Sequence, residues 1–173
     1  MPFDPAARLL VVMRHAKAEQ EGPTDFERPL ADRGHGDARD AGAWLAGEGF
    51  TPDHALVSAA LRTRETWTSL AEGAGWELEP ELDRGLYSAE PSTAIDLIAL
   101  VDEGVRRLVV VGHNPTMASL AQLLGDGEGE PELEDALMAG FPTSALAVFA
   151  HDAPWRDLGE GAARLVGYHV GRG

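Results

Sequence analysis

Aliphatic runs alternate with amphipathic segments along most of the chain. Consecutive aliphatic residues are typical of strands that are buried on both faces of a parallel sheet. Segments with apolar residues at three- and four-residue spacing, bounded by Asp, Pro or Gly, are typical of helices. These patterns predict strands at 8–14, Ala55–Ser58 and Arg107–Gly112, and helices at about 35–47, 61–73, Pro91–Val101 and Pro115–Leu124.

The remaining segments have weaker patterns. Trp76–Glu79 alternates apolar and acidic residues and predicts a short strand, whereas residues 19–33 contain turn signals that indicate a loop over the strand ends. The Gly- and Glu-rich tract at 125–134 predicts a solvated loop. Ser144–Ala150 and Ala163–His169 are predicted to pair as an antiparallel hairpin at one edge of the sheet.

The alternation of strands and helices indicates a mainly parallel sheet that is covered by helices. With 173 residues, of which 44% are hydrophobic, the chain can bury one sizeable core but is short for two full domains. We therefore expect a single domain over residues 1–173 of the α/β class. Its architecture is predicted to be a three-layer α/β/α sandwich with a mixed, mainly parallel sheet.

The formal net charge of -15 restricts the partners of the protein. Nucleic acids and anionic membranes both require Lys and Arg on one face, so neither is an expected partner. Fourteen residues are basic, and all except Lys17 are Arg, whose planar fork of donors fits phosphate oxygens. The sequence has no Cys, no basic and apolar leader, and no run approaching the about 18 apolar residues of a membrane span. We expect a cytoplasmic protein.

Basic residues follow three of the predicted strands where the apolar run ends. Arg14 and His15 close the first run, Arg62 lies in the first turn of the helix after the second, and His113 follows the third. The carboxyl ends of parallel strands meet at one edge of a sheet, and the ligand-binding and active sites of α/β proteins lie at that edge. Two histidines and two arginines are therefore expected to converge on one anion site.

Such a site suits the transfer of a phosphoryl group to histidine. Neighbouring guanidinium groups disfavour imidazolium, so His15 would stay in the neutral form that acts as a nucleophile. Arg14 and Arg62 would supply bidentate donors to the phosphoryl oxygens, and His113 would donate to an oxygen or assist the transfer. The expected intermediate is a phosphohistidine on the enzyme.

Several of these residues also have a structural interpretation. A single histidine at a strand end is more often structural than catalytic, and it is the combination with both arginines that favours function. Arg28 and Arg33 could gate the site or contact substrate from the loop, or they could brace that loop through carboxylates such as Asp25 or Asp32. Lys17 could contact the phosphate or lie exposed at the strand exit.

Other polar and aromatic residues are predicted to be structural. Ser58 and Thr63 lack the elbow motif of a serine nucleophile and are expected to make turn or capping hydrogen bonds. Trp44 and Trp67, at helical positions, are predicted to lie in the core. Surface or capping positions are predicted for His35, His54, His151 and His169. No group of residues has metal-ligand spacing, so neither a metal nor another cofactor is expected.

Three motifs stand at the predicted strand ends: Arg14-His15, Ser58-x-Ala60-x-Arg62-Thr63-x-x-Thr66 and Gly112-His113-Asn114-Pro115. Together they resemble the histidine phosphatase superfamily, which has the phosphoglycerate-mutase-like fold. Three further stretches resemble its SixA-type phosphohistidine phosphatase branch: Met13-Arg14-His15-Ala16-Lys17, Arg28-Pro29-Leu30 and Arg33-Gly34. The resemblance spans residues 9–124 in the same order.

The resemblance implies a metal-independent phosphatase with His15 as the phosphorylated nucleophile. It implies a phosphate pocket completed by Arg14, Arg62 and His113, and substrate-binding roles for Lys17, Arg28 and Asn114. Ala16 stands where the broader superfamily usually has glycine, and the SixA-like branch shares this departure.

The general acid is not defined by any motif. Glu90 is a candidate, although a solvated surface glutamate fits the same pattern. An imidazole leaving group can be protonated by solvent near neutral pH, so a phosphoramidate depends less on an enzymic acid than an alkyl phosphate does. We therefore expect a protein phosphohistidine as substrate. The alternatives are a phosphatase for sugar or nucleotide phosphates, and a module that binds phosphate or a phosphopeptide without turnover.

Overall fold

The three aliphatic runs form the centre of a six-stranded sheet in the computed structural model, which describes residues 3–173. The strands are β1 (Leu9–Arg14), β2 (His54–Ser58), β3 (Glu81–Asp83), β4 (Arg107–Gly112), β5 (Ala145–Ala150) and β6 (Arg164–Val170). The helices are α1 (Asp32–Gly47), α2 (Leu61–Ala74), α3 (Pro91–Ala99), α4 (Thr116–Leu124) and α5 (Pro131–Ala139). The strand order is β3-β2-β4-β1-β5-β6. Within residues 3–173, no helix combines the length and apolarity needed to cross a membrane.

Parallel pairing brings the ends of three strands to one edge of the sheet. β1 and β4 are in register from Leu9 opposite Arg107 to Arg14 opposite Gly112. β2 runs parallel to β4 on its other side. The residues that follow β1, β2 and β4 therefore leave the sheet at the same edge, which is the edge predicted to carry the site.

Helices cover both faces of the sheet. Leu10 and Val12 of β1 pack in one core with residues of α3, α4 and α5, whereas Val11 and Met13 pack in a second core with residues of α1 and α2. Successive strand side chains point to opposite faces, so a fully aliphatic strand needs a helical layer on each side. β5 and β6 continue the sheet as antiparallel strands beside β1. The predicted three-layer sandwich, its mixed sheet and the final hairpin are confirmed.

The position of α2 is set by unusually close packing against α1. A Cβ atom on Gly42 would lie 2.0 Å from the Leu70 carbonyl oxygen, and one on Gly73 would lie 2.1 Å from the Arg39 carbonyl oxygen. Only glycine allows the two backbones to approach this closely. Because Arg62 lies in the first turn of α2, this packing also fixes where its side chain starts.

The start of α1 and the segment predicted as a strand at Trp76–Glu79 differ from the predictions because of local hydrogen bonds and packing. α1 begins at Asp32 and not near residue 35, since the N–H groups of Gly34 and His35 already donate to the Ala31 carbonyl. The segment predicted as a strand, Trp76–Glu79, is not in the sheet. Trp76 stacks on Trp67 of α2 with ring centroids 6.0 Å apart, and the chain reaches β2 only at Glu81.

The tract at 125–134, predicted as a solvated loop, runs into a helix. Proline in the first turn of α5, followed by Glu132 and Glu134, favours a helix N-terminus, and Leu137 is buried in the core. The Gly- and Glu-rich composition concealed this short amphipathic pattern. Smaller differences are that α3 ends at Ala99 instead of Val101 and that α4 begins at Thr116 instead of Pro115.

Gly42→Ala tests the packing of α2 on α1. We expect it to lower the free energy of unfolding by about 1–3 kcal/mol, because the added methyl group forces the helices apart. Urea denaturation followed by circular dichroism measures the change. Gly47→Ala is the matched control in the same helix, since its Cβ position has no neighbour within 4 Å other than adjacent residues and the nearby backbone of α1 itself. Equal losses from the two variants would contradict the packing argument.

Candidate active site

His15 and His113 lie side by side at the carboxyl edge of the sheet. Each directly follows its strand, and the His15 N–H donates to the Gly112 carbonyl at 3.0 Å. The ring centroids are 5.4 Å apart, and both residues are buried. The pairing of β1 with β4 thus brings together two histidines that are far apart in the sequence.

The His15 ring has a defined tautomer. Nδ1 lies 2.7 Å from the Ala16 carbonyl oxygen, which can only accept, so Nδ1 carries the hydrogen and the neutral ring keeps its lone pair on Nε2. Burial lowers the pKa of His15 to about 4, although the bond to Ala16 opposes this shift. The positive charges of Arg62 and Arg14 lower this pKa further. Nε2 is therefore unprotonated at neutral pH.

His113 is oriented by a residue of the neighbouring strand. Its Nε2 lies 2.8 Å from Oγ of Ser58, the last residue of β2. Burial, followed by the positive charge of Arg62, lowers the pKa of His113 to about 3, so this ring is also neutral near pH 7. When the Ser58 hydroxyl donates to Nε2, the ring hydrogen of His113 lies on Nδ1.

The two arginines of the site are anchored through their terminal nitrogens. Arg14 Nη1 donates to the Phe141 carbonyl at 3.3 Å, and burial lowers the pKa of Arg14. Arg62 has 7% of its side chain exposed. It donates from Nη1 to the Asp25 carbonyl at 2.8 Å and from Nη2 to Asp25 Oδ2 at 3.2 Å.

Unpaired polar atoms concentrate on these residues. Over residues 3–173, the buried side-chain polar atoms without a hydrogen-bond partner are Arg8 Nη1, Arg14 Nε, Arg62 Nε, His113 Nδ1 and Ser144 Oγ. An unpaired buried donor lowers the free energy of unfolding by about 1–3 kcal/mol. Such donors are therefore rare in native proteins, and each requires an explanation. Arginine N–H groups close to a neutral histidine suit the oxygens of a tetrahedral anion.

The sequence that carries this site matches a known family. Residues 10–88 match the profile of the histidine phosphatase superfamily (branch 1). Phosphohistidine phosphatase SixA of Escherichia coli strain K12 is 33% identical over 144 residues, which cover 79% of this chain and 81% of SixA. The chain belongs to the histidine phosphatase superfamily.

Two further comparisons extend over almost the whole chain. An uncharacterized protein of Mycobacterium tuberculosis strain H37Rv is 40% identical over 162 residues, which cover 92% of this chain and 100% of that protein. A SixA structure from Nakamurella multipartitia has a TM-score of 0.84 at 30% identity, and the match covers 97% of this chain and 99% of that one. The sequence match to SixA of Escherichia coli and this structural match confirm the SixA-type branch, and the structural match confirms the phosphoglycerate-mutase-like fold.

Arg28 braces the loop between β1 and α1. Its Nε donates to Asp25 Oδ1 at 3.0 Å, and its Nη1 donates to the Glu19 carbonyl at 2.8 Å. This is one of the two roles considered for it from the sequence. Its charge still acts on the site, because it helps to lower the pKa of His15. Contact between Arg28 and substrate stays a prediction.

Two other basic residues lie beside this loop. Arg33 pairs with the buried carboxylate of Asp37 at 3.5 Å and not with Asp32. Lys17 is half-buried, and its backbone carbonyl accepts from Ala31 N–H at 2.9 Å. Contact between the Lys17 ammonium group and substrate stays a prediction.

The Asn114 side chain joins two backbone segments next to the site. Its Nδ2 donates to the Phe141 carbonyl at 2.8 Å, and its Oδ1 accepts from Ala118 N–H at 3.2 Å. Since the Phe141 carbonyl also anchors Arg14, the structure gives Asn114 a positioning contact in addition to the predicted contact with substrate, which stays a prediction.

Glu90 lies on the His113 side of the site. It is exposed, precedes α3 and borders a cavity of about 270 Å³ that is also lined by His113 and Tyr87. Its side chain does not cap α3. A role for Glu90 as the general acid stays a prediction.

The residues that hold the site together are not predicted by any pattern in the sequence. The sequence predicts only a turn or capping role for Ser58, and it predicts Asp25 only as a possible brace for Arg28 or Arg33. Tyr87 had no role, yet its hydroxyl donates to Asp25 Oδ2 at 2.5 Å and its ring packs edge-on against His113 with centroids 5.5 Å apart. Asp25 and Arg62 are 37 residues apart, so no local pattern could have linked them.

The residues predicted to be structural mostly are. Thr63 donates to the backbone at the start of α2, and Trp67 lies in the core while Trp44 packs at its margin. Partly exposed positions with polar partners are found for His35, His54 and His169. The surface or capping prediction for His151 is wrong: it is buried, and its two ring nitrogens lie against backbone carbonyls at 3.0 and 3.1 Å. In the described part of the chain, no three His, Asp or Glu side chains cluster to hold a metal ion.

An NMR titration of His15 tests the electrostatics of the site. We expect a pKa near 4 in the folded protein, against about 6.5 for an unperturbed histidine. Because the pKa is lowered only in the folded state, the contribution of His15 to stability is full above about 6.5 and is lost as the pH falls towards 4. Arg62→Gln should raise this pKa by removing a positive charge, whereas Arg64→Gln, at an exposed position of α2, should not. A midpoint near 6.5 would contradict the burial argument.

Proposed function

We propose that this chain is a phosphatase that transfers the phosphoryl group of its substrate to Nε2 of His15. The observation that carries the proposal is the 2.7 Å contact between Nδ1 of the buried His15 and the Ala16 carbonyl oxygen, which leaves the lone pair of the neutral ring on Nε2. The unpaired polar atoms Arg14 Nε, Arg62 Nε and His113 Nδ1 support it. Membership of the histidine phosphatase superfamily is consistent with the same chemistry.

The first step forms a bond between Nε2 of His15 and phosphorus while the bond from phosphorus to the leaving group breaks. The Nε–H groups of Arg14 and Arg62 donate to the phosphoryl oxygens, where charge spreads in the transition state. The His15 ring becomes positively charged, and the Ala16 carbonyl stabilises it by accepting from Nδ1–H. The leaving group takes up a proton from solvent.

The second step releases phosphate. A water oxygen attacks phosphorus, the bond to Nε2 breaks, and the electron pair returns to the ring. The proton of the water passes to solvent. His15 is thereby restored to its neutral form, which its lowered pKa favours at neutral pH.

We further propose that the substrate is a phosphohistidine in a protein. The only carboxylate suggested as general acid, Glu90, lies exposed at the margin of the site, and a phosphorylated imidazole depends less on such an acid than a phosphate ester does. The 33% identity to phosphohistidine phosphatase SixA of Escherichia coli supports the same substrate class.

His15→Ala tests the proposed nucleophile. We expect the wild-type protein to hydrolyse a histidine-phosphorylated protein at the same rate with and without a metal chelator, and the variant to lose at least about a thousandfold in rate because no covalent route remains. Wild-type protein quenched in alkaline detergent, where the phosphorus–nitrogen bond is stable, should carry labelled phosphate on His15. His54→Ala, a partly exposed histidine paired with Glu81, is the matched control and should retain full activity. Equal rates for wild type and His15→Ala would refute the proposal.

A substrate panel tests the proposed specificity. We expect kcat/KM to be highest for the phosphohistidine protein and lower for sugar and nucleotide monophosphates, because alkyl leaving groups need an acid that the site holds poorly. A preference for a sugar or nucleotide phosphate would replace the substrate class while keeping the chemistry. Binding of these compounds without turnover or labelled His15 would indicate a non-catalytic module.

A further inference from the structure

The loop between β1 and α1 places one carboxylate, that of Asp25, against the guanidinium group of Arg62. The Asp25 side chain is 56% exposed, yet it accepts from Arg62 Nη2 at 3.2 Å, Arg28 Nε at 3.0 Å and the Tyr87 hydroxyl at 2.5 Å. The Asp25 backbone carbonyl accepts from Arg62 Nη1 at 2.8 Å. A single residue therefore engages both terminal nitrogens of Arg62, and the Nε of Arg62 is left buried and unpaired.

We infer that Asp25 is a positioning residue: it binds the two terminal nitrogens of Arg62, so that Arg62 presents the Nε–H edge of its guanidinium group to the phosphoryl group. This inference rests on the proposed function. A guanidinium group is planar, so fixing Nη1 and Nη2 also fixes the direction of Nε–H. Without Asp25, Arg62 would have to lose rotamer freedom each time it bound a phosphoryl group. Bidentate binding by Arg62 is expected from the sequence, and this arrangement specifies which edge of the guanidinium group remains for it.

Tyr87 completes the arrangement around Asp25. Its hydroxyl, together with Arg28 and Arg62, lowers the pKa of Asp25 to about 2, so the carboxylate stays charged at working pH. The guanidinium carbon of Arg62 lies 5.9 Å from the centroid of the Tyr87 ring. Tyr87 thus contacts both members of the Asp25–Arg62 pair and restrains their relative position.

The loop itself has other anchors, so the Asp25 carboxylate is not needed to hold it in place. Glu19 N–H donates to the Pro29 carbonyl at 2.8 Å, and Ala31 N–H donates to the Lys17 carbonyl at 2.9 Å. Leu30 N–H donates to Oε1 of Glu65 in α2 at 2.8 Å. Asp25→Asn should therefore leave the loop folded and change chiefly the orientation of Arg62.

A double-mutant cycle tests whether Asp25 acts through Arg62. With phosphoramidate as substrate, Asp25→Asn should lower kcat/KM about tenfold or more, mainly through kcat, because small misplacements of a catalytic group are costly. Arg62→Ala should lower it further, and adding Asp25→Asn to Arg62→Ala should then have no additional effect. Glu27→Gln, an exposed acid in the same loop, is the matched control and should be unchanged. Tyr87→Phe should cause a smaller loss that disappears in the Asp25→Asn background.

The same cycle is measured for binding of orthovanadate by calorimetry, with thermal unfolding as the control for folding. The dissociation constant should rise in Asp25→Asn and should not rise further when Asp25→Asn is added to Arg62→Ala. Losses that multiply in the double variant, or full activity of Asp25→Asn, would overturn the inference. The binding measurement requires no turnover, so it tests the Asp25–Arg62 coupling independently of the proposed function. The proposed function is tested separately, by comparing the hydrolysis rates of wild type and His15→Ala.

Discussion

The in-register parallel pairing of β1 with β4 is the constraint on which the site depends. It places Arg14 opposite Gly112. The histidines that directly follow the two strands are therefore neighbours, with ring centroids 5.4 Å apart. A register slip of one residue would reverse every side chain of β1 between the two cores. The aliphatic residues that form the cores therefore also hold the geometry of the two histidines.

The electrostatics of the site oppose those of the whole protein. The net charge is -15, yet burial and clustered guanidinium groups keep both site histidines neutral. Unpaired donors on Arg14 and Arg62 cost stability in the absence of an anion, and Asp25 limits that cost by engaging the terminal nitrogens of Arg62. A local cationic pocket in an acidic surface favours a single phosphoryl group over an extended polyanion.

Most of the fold followed from periodicity, and the errors have identifiable causes. β4 and the helix after β2 were predicted almost to the residue because their apolar patterns are strong. α5 was hidden by the composition of its flank, although its proline and paired glutamates are ordinary signals of a helix start. The strand predicted at Trp76–Glu79 was wrong because the stacking of Trp76 on α2, which is a tertiary contact, keeps that segment out of the sheet.

The sequence by itself singled out His15, Arg14, Arg62 and His113 as candidates for one site, because each stands at the end of a recognisable strand or the start of a helix. Tertiary structure alone decided how they are held. The tautomer of His15, the bond from Ser58 to His113 across 55 residues and the bonds from Asp25 to Arg62 across 37 residues depend on where loops fold back. Periodicity describes which face of an element is buried, but it contains no information about which distant side chain will lie within hydrogen-bond distance.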